Sequence, residues 1–246
     1  MPLDLIRLRA AQAATLNAEL ADASAQDVLH TALALGDVAL VSSFGADSVV
    51  LLHMAARIDP NVPVIFLETG MLFPETLAYQ RDVAARLGLT DIRVVRPDAT
   101  DLFLHDPDGD LHGRDPDLCC TLRKVRPLEL ALQGVDAWVT GRKRVQGGDR
   151  AALPLFEVEA GRIKANPLAA WTGADLSAYL DRHDLPRHPL VARGYPSIGC
   201  APCTSKVAPG EDPRAGRWRG RAKTECGIHF AGGVTVRPDG TLANGG

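Results

Sequence analysis

The feature that most restricts the fold is an alternation of short apolar segments with helical ones. Residues 37–43, 62–67 and 91–95 are short apolar runs, and segments with helical spacing follow the first two, at about 47–57 and at 74–87. Strands that alternate with helices pair in parallel and are covered by helices on both faces. The sequence therefore predicts an α/β fold with an open, mostly parallel sheet flanked by helices.

Two regions raise the question of where helices begin and end. Residues 97–117 hold several Asp, Pro and Gly residues and are predicted to form a loop. Residues 118–132 have helical spacing, but Pro127 is expected to kink or break that helix because proline lacks an N–H. The other predicted elements are one or two helices within 3–35, a strand over 137–140, a hairpin of 153–159 and 162–164, and a helix over about 172–183.

The composition of the chain, the length of its apolar runs and its first residues exclude several classes of function. The formal net charge of -3 provides no overall attraction to nucleic acid. No apolar run is long enough to span a membrane, and the first residues lack the basic and apolar regions of a secretion signal. Five cysteines in such a chain indicate a reducing compartment, where thiols serve as metal ligands or catalysts more often than as disulfides. We therefore expect a cytoplasmic protein that binds neither nucleic acid nor a membrane.

The loop after the first predicted strand has the composition of an anion site. It reads Ser42-Ser-Phe-Gly-Ala-Asp-Ser48. Its hydroxyl groups and the N–H groups at the start of the next helix can bind an oxyanion, and Gly45 permits a tight turn. In open α/β sheets ligands bind at the carboxyl ends of strands, where this loop lies. We predict that Ser42, Ser43, Gly45 and Ser48 bind an anion, with a simple helix-capping turn as the alternative. The loop lacks the Gly-Lys-Ser/Thr of Walker A, which disfavours phosphate-loop NTPase chemistry.

Four of the five cysteines have a spacing typical of a metal centre. Cys200 and Cys203 form a Cys-x-x-Cys motif, whose turn can aim two thiolates at one centre, and Cys119 and Cys120 are the remaining pair. Adjacent helical residues point about 100° apart, which suits the separate irons of a cubane better than two corners of one zinc tetrahedron. The spacing therefore favours a [4Fe–4S] cluster over zinc, and buried inert thiols are the remaining alternative.

The fifth cysteine, Cys226, lies in a Gly-rich C-terminal region with little apolar sequence around it. Several basic residues precede it, and positive charge favours the reactive thiolate. The same charges would attract an anionic substrate. We therefore predict that Cys226 is a nucleophile, the alternative being an incidental surface thiol.

Several segments together resemble the sulfonucleotide reductase family, over roughly residues 37–230. The segment at 68–76 reads Glu-Thr-Gly-Met-Leu-Phe-Pro-Glu-Thr, with Glu68 where Asp is usual, and the segment at 194–204 reads Gly-Tyr-Pro-Ser-Ile-Gly-Cys-Ala-Pro-Cys-Thr. The adjacent cysteines and the terminal Glu-Cys-Gly-Ile-His complete the match. The loop at 42–48 is similar to the phosphate-binding loop of the adenine nucleotide α-hydrolase-like superfamily. The resemblance implies that fold, and one [4Fe–4S] cluster per chain held by Cys119, Cys120, Cys200 and Cys203.

The resemblance also implies a reaction, the thioredoxin-dependent reduction of adenylylsulfate (APS) to sulfite and AMP in sulfate assimilation. The Cys226 thiolate would attack the sulfur of APS and become an S-sulfonate, from which thioredoxin would release sulfite. Three negative oxygens surround the reacting sulfur, and we expect Lys124 to screen them because it lies one helical turn from Cys120. His229, three residues after Cys226, is expected to contact the substrate or to tune the thiol.

Further substrate contacts follow from the same resemblance. The loop after the strand predicted at 137–140 resembles the family's Gly-x-Arg-Arg-x-Gln-Ser loop, with Lys143 in place of the first Arg and Gly147 in place of Ser. The arginines of the Arg-Ala-Gly-Arg-Trp run match substrate-contacting arginines of the reductases. The predicted substrate-binding residues, besides the serines and glycine of the anion loop, are Glu68, Thr69, Gly70, Arg144, Arg214 and Arg217.

These predictions divide the chain into two parts. Residues 1–205 are predicted to form an α/β nucleotide-binding domain that carries the cluster. Residues 206–246 are predicted to form a flexible segment bearing Cys226, because one sulfur must meet the substrate and then a protein partner. Within that segment, residues 237–240 are predicted to form a turn, which is typical of a small hairpin.

Three alternatives stay open. The 3'-phosphorylated substrate PAPS, or dual specificity, is the alternative to APS. An ATP-dependent adenylating or thiolation enzyme of the same fold is less favoured, because Phe44 replaces the first Gly of the Ser-Gly-Gly-x-Asp-Ser loop expected there. A zinc-binding interaction module, in which Cys226 has no role, is the third hypothesis. The sequence leaves the oligomeric state open, a homo-oligomer included.

Overall fold

The structure, a computed structural model, describes residues 3–229 (except the side chain of Asp149) and, by backbone alone, two short strands beyond them. The strands of the main sheet are β1 (Val38–Ser42), β2 (Val64–Leu67), β3 (Ile92–Val95), β4 (Ala137–Val139), β5 (Phe156–Glu159) and β6 (Arg162–Ala165). They form one six-stranded sheet in the order β3-β2-β1-β4-β6-β5. β1 pairs in parallel with β4, β2 with β3, and β4 with β6, whereas β5 and β6 are antiparallel.

Helices flank this sheet, which confirms the predicted fold class. The α-helices are α1 (Leu3–Glu19), α2 (Ala25–Leu33), α3 (Ser48–Ile58), α4 (Pro74–Leu87), α5 (Ala99–His105), α6 (Leu111–Arg114), α7 (Pro116–Cys120), α8 (Arg126–Ala131) and α9 (Gly173–Arg182). α4 has the predicted bounds, since Pro74 occupies its first turn and Gly88 ends it in the left-handed conformation with φ 67°. All four residues of β2 are buried, as expected for a parallel strand covered on both faces.

The loop predicted over residues 97–117 is wrong, because α5, α6 and the start of α7 lie there. Two of the aspartates that favour a loop there are helix caps. Asp98 accepts hydrogen bonds from the N–H groups of Thr100 and Asp101, and Asp115 does the same at the start of α7. Asp favours both turns and helix N-termini for the same reason, which is that its short side chain bonds nearby backbone N–H groups.

Pro127 does not break the helix in which it lies. Residues Thr121–Val125 form a π-helical turn between α7 and α8, and the Arg126 N–H donates to the carbonyl of Thr121, five residues back. Because proline has no N–H to continue the α-helical ladder, the wider turn lets the chain stay helical from Pro116 to Ala131. This π turn carries two basic residues of the candidate site.

The chain divides into two compact units. The first consists of Met1–Val41, Gly134–Gly173 and His229–Gly246, and its core includes Leu29 and Trp138. The second consists of Ser42–Gln133 and Ala174–Ile228, and its core includes Phe66 and Leu122. All five cysteines belong to the second unit. The predicted boundary after residue 205 lies inside the second unit, and the mobility of the segment beyond it stays a prediction.

Two short strands follow the continuously described part of the chain. They are β7 (Val234–Val236) and β8 (Leu242–Asn244), which pair antiparallel. The turn predicted at residues 237–240 lies outside the described residues. Among the helices that the structure describes, none is both long and apolar enough to cross a membrane.

Candidate active site

The predicted anion loop connects β1 to α3, and two of its three serines, Ser42 and Ser48, hold its backbone. The Phe44 N–H donates to the Ser42 hydroxyl (3.1 Å), and the Gly45 N–H donates to the Ser48 hydroxyl (3.0 Å). Asp47, before α3, makes no side-chain cap hydrogen bond. Anion binding at the start of this helix stays a prediction. The side chain of Ser43 is exposed beside this turn.

Phe44, which the sequence places where a glycine is expected, has a backbone conformation that glycine favours. Its φ is 47°, and its side chain is fully buried, with its ring edge-on to Phe66 at 5.2 Å. A left-handed conformation costs a non-glycine residue about 1–2 kcal/mol, and burying a phenylalanine ring offsets this. Phe44 thus combines a left-handed backbone conformation with a side chain buried in the core.

The next predicted contact segment forms a turn after β2 that reaches a cysteine. Glu68 accepts a hydrogen bond from the Gly70 N–H (2.8 Å), and Gly70 has a left-handed φ of 73°. The Thr69 hydroxyl lies 3.3 Å from the sulfur of Cys200. The carbonyl of Met71 accepts from the N–H of the residue after Cys200 at 2.8 Å. This turn therefore supports the first cysteine of the Cys-x-x-Cys motif.

The four predicted ligand cysteines occupy two short helical segments of the second unit. Cys119 and Cys120 end α7, and Cys200 and Cys203 bracket a single 3-10 turn, in which the Cys203 N–H donates to the Cys200 carbonyl at 3.0 Å. Three of them are buried, and Cys203 is half-buried. Burial raises the pKa of the Cys119 and Cys203 thiols, and Cys200 acts on both thiols electrostatically. The structure thus brings the two pairs into one neighbourhood.

Among the described residues, no three Cys, His, Asp or Glu side chains are grouped closely enough to hold a single metal ion. Three buried N–H donors lie around the thiols without a hydrogen-bond acceptor in the described structure: Arg123 Nε, Arg217 Nε and Trp218 Nε1. Arg123 acts electrostatically on Cys119, and Arg217 acts on Cys203. Unpaired buried donors are rare in folded proteins, so these three N–H groups are available to hydrogen-bond water or a bound group.

Lys124, on the π turn, lies where the cysteine pairs and the fifth cysteine meet. Burial acts to lower the pKa of its ammonium group, but Cys200, Cys226 and Cys120 outweigh that effect and raise the pKa. Burial raises the pKa of the Cys120 thiol to about 11, although the positive charge of Lys124 acts to lower it. Lys124 therefore interacts electrostatically with both Cys120 and Cys226, and its role toward a substrate stays a prediction.

The guanidinium group of Arg217 lies over the backbone of Gly199. A Cβ atom at Gly199 would come within 2.5 Å of Arg217 Cζ, so only glycine leaves room for it. Arg217 also stacks over the ring of Trp218 at 4.5 Å, and its backbone bridges Thr204, next to the Cys-x-x-Cys turn. This predicted substrate contact is therefore held directly against the cysteine loop.

Arg214, the other arginine of that run, contacts the segment before Cys226. It donates to the Thr224 carbonyl (3.0 Å) and to Glu225 Oε1 (3.3 Å). Lys223 pairs with Asp117 near the start of α7. These contacts hold the Cys226 segment against the part of the second unit that carries Cys119 and Cys120.

The remaining predicted contacts belong to the first unit. Arg144 is exposed, and its Nε donates to the carbonyl of Leu153 at 2.8 Å. Its neighbour Arg142 is buried, where it pairs with Glu157. Of these two arginines, Arg144 is the more exposed, and its contact with the substrate stays a prediction.

His229 lies beside a buried aromatic residue of the first unit. Its ring is nearly parallel to that of Trp138, with an interplanar angle of 12° and centroids 6.1 Å apart. Lys164, whose side chain is fully buried, lies 4.5 Å from the Trp138 ring centre and pairs with Glu159. Burial lowers the pKa of Lys164. The described position of His229 is therefore a stacking contact.

Comparison with known proteins agrees with this arrangement. The family profile described as the phosphoadenosine phosphosulfate reductase domain matches residues 37–206. The chain belongs to this family. Curated relatives match most of its length. A protein of Chelativorans sp. (strain BNC1) named adenosine 5'-phosphosulfate reductase is 55% identical over 197 residues, which cover 80% of each chain.

Two further matches extend this result. A protein of the same name from Mesorhizobium japonicum is 52% identical over 224 residues, which cover 91% of this chain and 86% of the relative. The crystal structure of phosphoadenylyl-sulfate (PAPS) reductase from Candida auris, in a phosphate complex, is 33% identical. It superposes with a TM-score of 0.68 over 78% of this chain and 95% of its own.

Two residues of the site are absent from the sequence predictions. Asp106 and Arg123 form a buried ion pair at 2.5 Å, and Arg123 Nη1 donates to the Thr69 carbonyl at 2.8 Å. Asp106 lies in the region that the sequence predicts to be a loop. The one available signal was the position of Arg123 between the cysteine pair and Lys124, on a helix whose register Pro127 disturbs.

Proposed function

We propose that this protein reduces adenylylsulfate to sulfite and AMP in sulfate assimilation, with Cys226 as the nucleophile and a thioredoxin as the electron donor. The observation that carries the proposal is that Lys124 interacts electrostatically with Cys226 as well as with Cys120 and Cys200, which together raise the pKa of its ammonium group. The names of the most similar relatives support APS as the substrate. Free thiols and a thioredoxin donor both require a reducing compartment, so we place the reaction in the cytoplasm.

The residues present fit a [4Fe–4S] cluster held by Cys119, Cys120, Cys200 and Cys203. Four thiols and three unpaired buried N–H donors surround one region, and cluster sulfurs accept such hydrogen bonds. A single zinc ion binds thiolates at about 2.3 Å and would need them grouped around one point. A cubane binds each thiolate at a separate iron, which suits two pairs that interact without forming a single-ion site.

The chain's own residues perform the chemistry in two displacements. The Cys226 thiolate attacks the sulfur of APS; the S–S bond forms as the S–O bond to AMP breaks, and AMP leaves with the bonding electrons. Lys124, with Arg217 nearby, screens the negative oxygens around the reacting sulfur. A bound [4Fe–4S] cluster would supply a fixed anchor for four thiolates and additional charge beside Lys124.

The second displacement releases sulfite, and a further thiol–disulfide exchange with the donor regenerates the thiol. One thiolate of the donor attacks the Cys226 sulfur, and sulfite leaves with the electrons of the S–S bond. The second thiol of the donor then displaces Cys226, and the donor is left as a disulfide. The dithiol thus supplies both electrons of the reduction. We propose that His229 and Arg144 contact the substrate, together with the anion loop (Ser42, Ser43, Gly45, Ser48), the turn after β2 (Glu68, Thr69, Gly70) and Arg214.

The alternative with a specific observation in its favour is reduction of PAPS, alone or together with APS. The superposed structure from Candida auris is a PAPS reductase and was solved with phosphate. PAPS differs from APS by one 3'-phosphate, so a site that accepts it needs additional positive charge. Because both substrates carry the same reacting sulfate, the two alternatives are distinguished by comparing the rates of sulfite release from APS and from PAPS.

The test measures sulfite release from APS and from PAPS by anaerobically purified protein with thioredoxin. We expect release from APS with wild-type protein and none with Cys226→Ser. Without thioredoxin, APS labelled at its sulfur should leave covalent label on the wild-type protein and none on the Cys226→Ser protein. The Cys226→Ser protein should keep the iron and visible absorbance of wild type, whereas Cys203→Ser should lose both. Full turnover by Cys226→Ser, or a colourless and iron-free but active wild-type protein, would contradict the proposal.

A further inference from the structure

Asp106 and Arg123 form an ion pair within the second unit, beside the proposed cluster ligands. Asp106 Oδ2 and Arg123 Nη2 are 2.5 Å apart, and their side chains are 0% and 7% exposed. Burying two charges costs several kcal/mol per ion unless further hydrogen bonds complete both partners. Asp106 Oδ1 accepts from the Leu111 N–H at 2.8 Å, whereas Arg123 Nε has no acceptor in the described structure. Both carboxylate oxygens of Asp106 therefore accept hydrogen bonds, whereas one N–H group of Arg123 lacks an acceptor among the described residues.

Arg123 links the two cysteine pairs. Its Nη1 donates to the Thr69 carbonyl (2.8 Å), and the Thr69 hydroxyl lies 3.3 Å from the Cys200 sulfur. Its charge opposes the rise that burial causes in the pKa of Cys119. Gly70 leaves space for it, because a Cβ there would lie 3.3 Å from Arg123 Nη1. One guanidinium thus contacts the turn under Cys200 and acts on Cys119.

We propose that Asp106 is a positioning residue that fixes the Arg123 guanidinium, so that its charge and its unpaired Nε–H stabilise the bound [4Fe–4S] cluster. The inference rests on the cluster of the proposed function. A cluster with four thiolates carries net negative charge, which a fixed cation and an N–H donor stabilise. An aspartate that holds two different groups of the site fixes that cation more tightly than solvent would.

The test follows the release of iron from the anaerobic protein to a chelator. Asp106→Asn keeps the size of the side chain but removes the charge that orients Arg123, and Arg123→Lys keeps the charge but loses the planar fork. We expect both variants to release iron about 10- to 100-fold faster than wild type, the range seen when residues that support metal ligands are changed. The matched control is Asp101→Asn, which breaks the exposed Asp101–Arg126 pair (2.8 Å) nearby and should release iron at the wild-type rate.

A second measurement separates a role toward the cluster from a general loss of stability. Arg123→Met should lower the reduction potential of the cluster, because it removes a positive charge that favours the reduced, more negative state. Iron release at the wild-type rate in both Asp106→Asn and Arg123→Lys would overturn the inference. So would equally fast release from Asp101→Asn. Wild-type protein that holds no iron would instead contradict the proposed function.

Discussion

Gly199→Ala tests whether Arg217 contacts the substrate, without changing the arginine itself. The new Cβ would lie 2.5 Å from Arg217 Cζ and 2.9 Å from Nη1. Carbon atoms in contact are separated by about 3.5–4.0 Å, so the guanidinium has to move by about 1 Å or more. The φ of Gly199 is not left-handed, so alanine adds no backbone strain there. The substitution therefore acts mainly by displacing Arg217.

The expected loss follows from the hydrogen bonds that Arg217 would make to an anionic substrate. Such bonds need an N···O distance of about 2.7–2.9 Å, so a shift of 1 Å breaks them. Hydrogen bonds to charged groups contribute about 1.5–3 kcal/mol, which corresponds to a roughly 10- to 150-fold weaker binding of substrate. We expect the KM for APS, and the Kd of APS measured by calorimetry in a Cys226→Ser background, to rise within this range in Gly199→Ala.

Controls for this experiment come from the same unit. Gly113→Ala should change neither constant, because no atom lies within 4 Å of the added Cβ. Iron content must equal that of wild type, since Gly199 precedes Cys200. Arg217→Ala should have a similar effect, and the double variant should lose no more than the single ones, because both changes remove one contact. Wild-type binding by Gly199→Ala, or fully additive losses, would refute the assigned role of Arg217.

Two further predictions concern the Cys226 segment and the stability of the fold. Arg214→Gln should expose Cys226, because it removes contacts, including that with Glu225, that contribute about 1–2 kcal/mol. Alkylation of Cys226 in the absence of substrate should therefore become about 5- to 30-fold faster. The control Arg219→Gln, which breaks an exposed Arg–Glu pair nearby, should leave the alkylation rate unchanged. Burial lowers the pKa of His188 from 6.5 to about 4, so between these pH values the unfolded chain binds a proton that the folded chain does not. The free energy of unfolding should therefore fall by about 3 kcal/mol as the pH drops from 6.5 to 4. In urea unfolding, His188→Gln should lose most of this pH dependence. Equal alkylation rates in the first case, or an unchanged pH slope in the second, would contradict these assignments.

The local patterns of the sequence were sufficient for most of the fold. Strands and helices were predicted at positions close to those observed, because alternation of apolar runs and helical spacing depend on neighbouring residues. The region 97–117 was mispredicted because aspartate favours loops and helix caps alike. Pro127 requires some change in the helix, and the structure has a π turn at Thr121–Val125. The spacing of apolar residues does not distinguish such a turn from a break in the helix.

The candidate site was predicted in part. Cys-x-x-Cys spacing and the adjacent cysteine pair marked four thiols that the structure brings into one unit, and Lys124 lies beside Cys120 as the helical spacing indicated. The roles of these residues stay predictions. The contact of Arg214 with Glu225 was not visible from the sequence, because a run of arginines does not reveal which of them are already paired.

By itself, the sequence determined the α/β class and the family to which the chain belongs, since each depends on residue types at short spacings, and it predicts the grouping of the cysteines into four and one. Only the tertiary structure decided which polar groups are buried together, as with Asp106 and Arg123, which are 17 residues apart. It also decided which buried donors lack an acceptor. Desolvation and hydrogen bonding depend on atoms supplied by distant segments, so no local pattern specifies them.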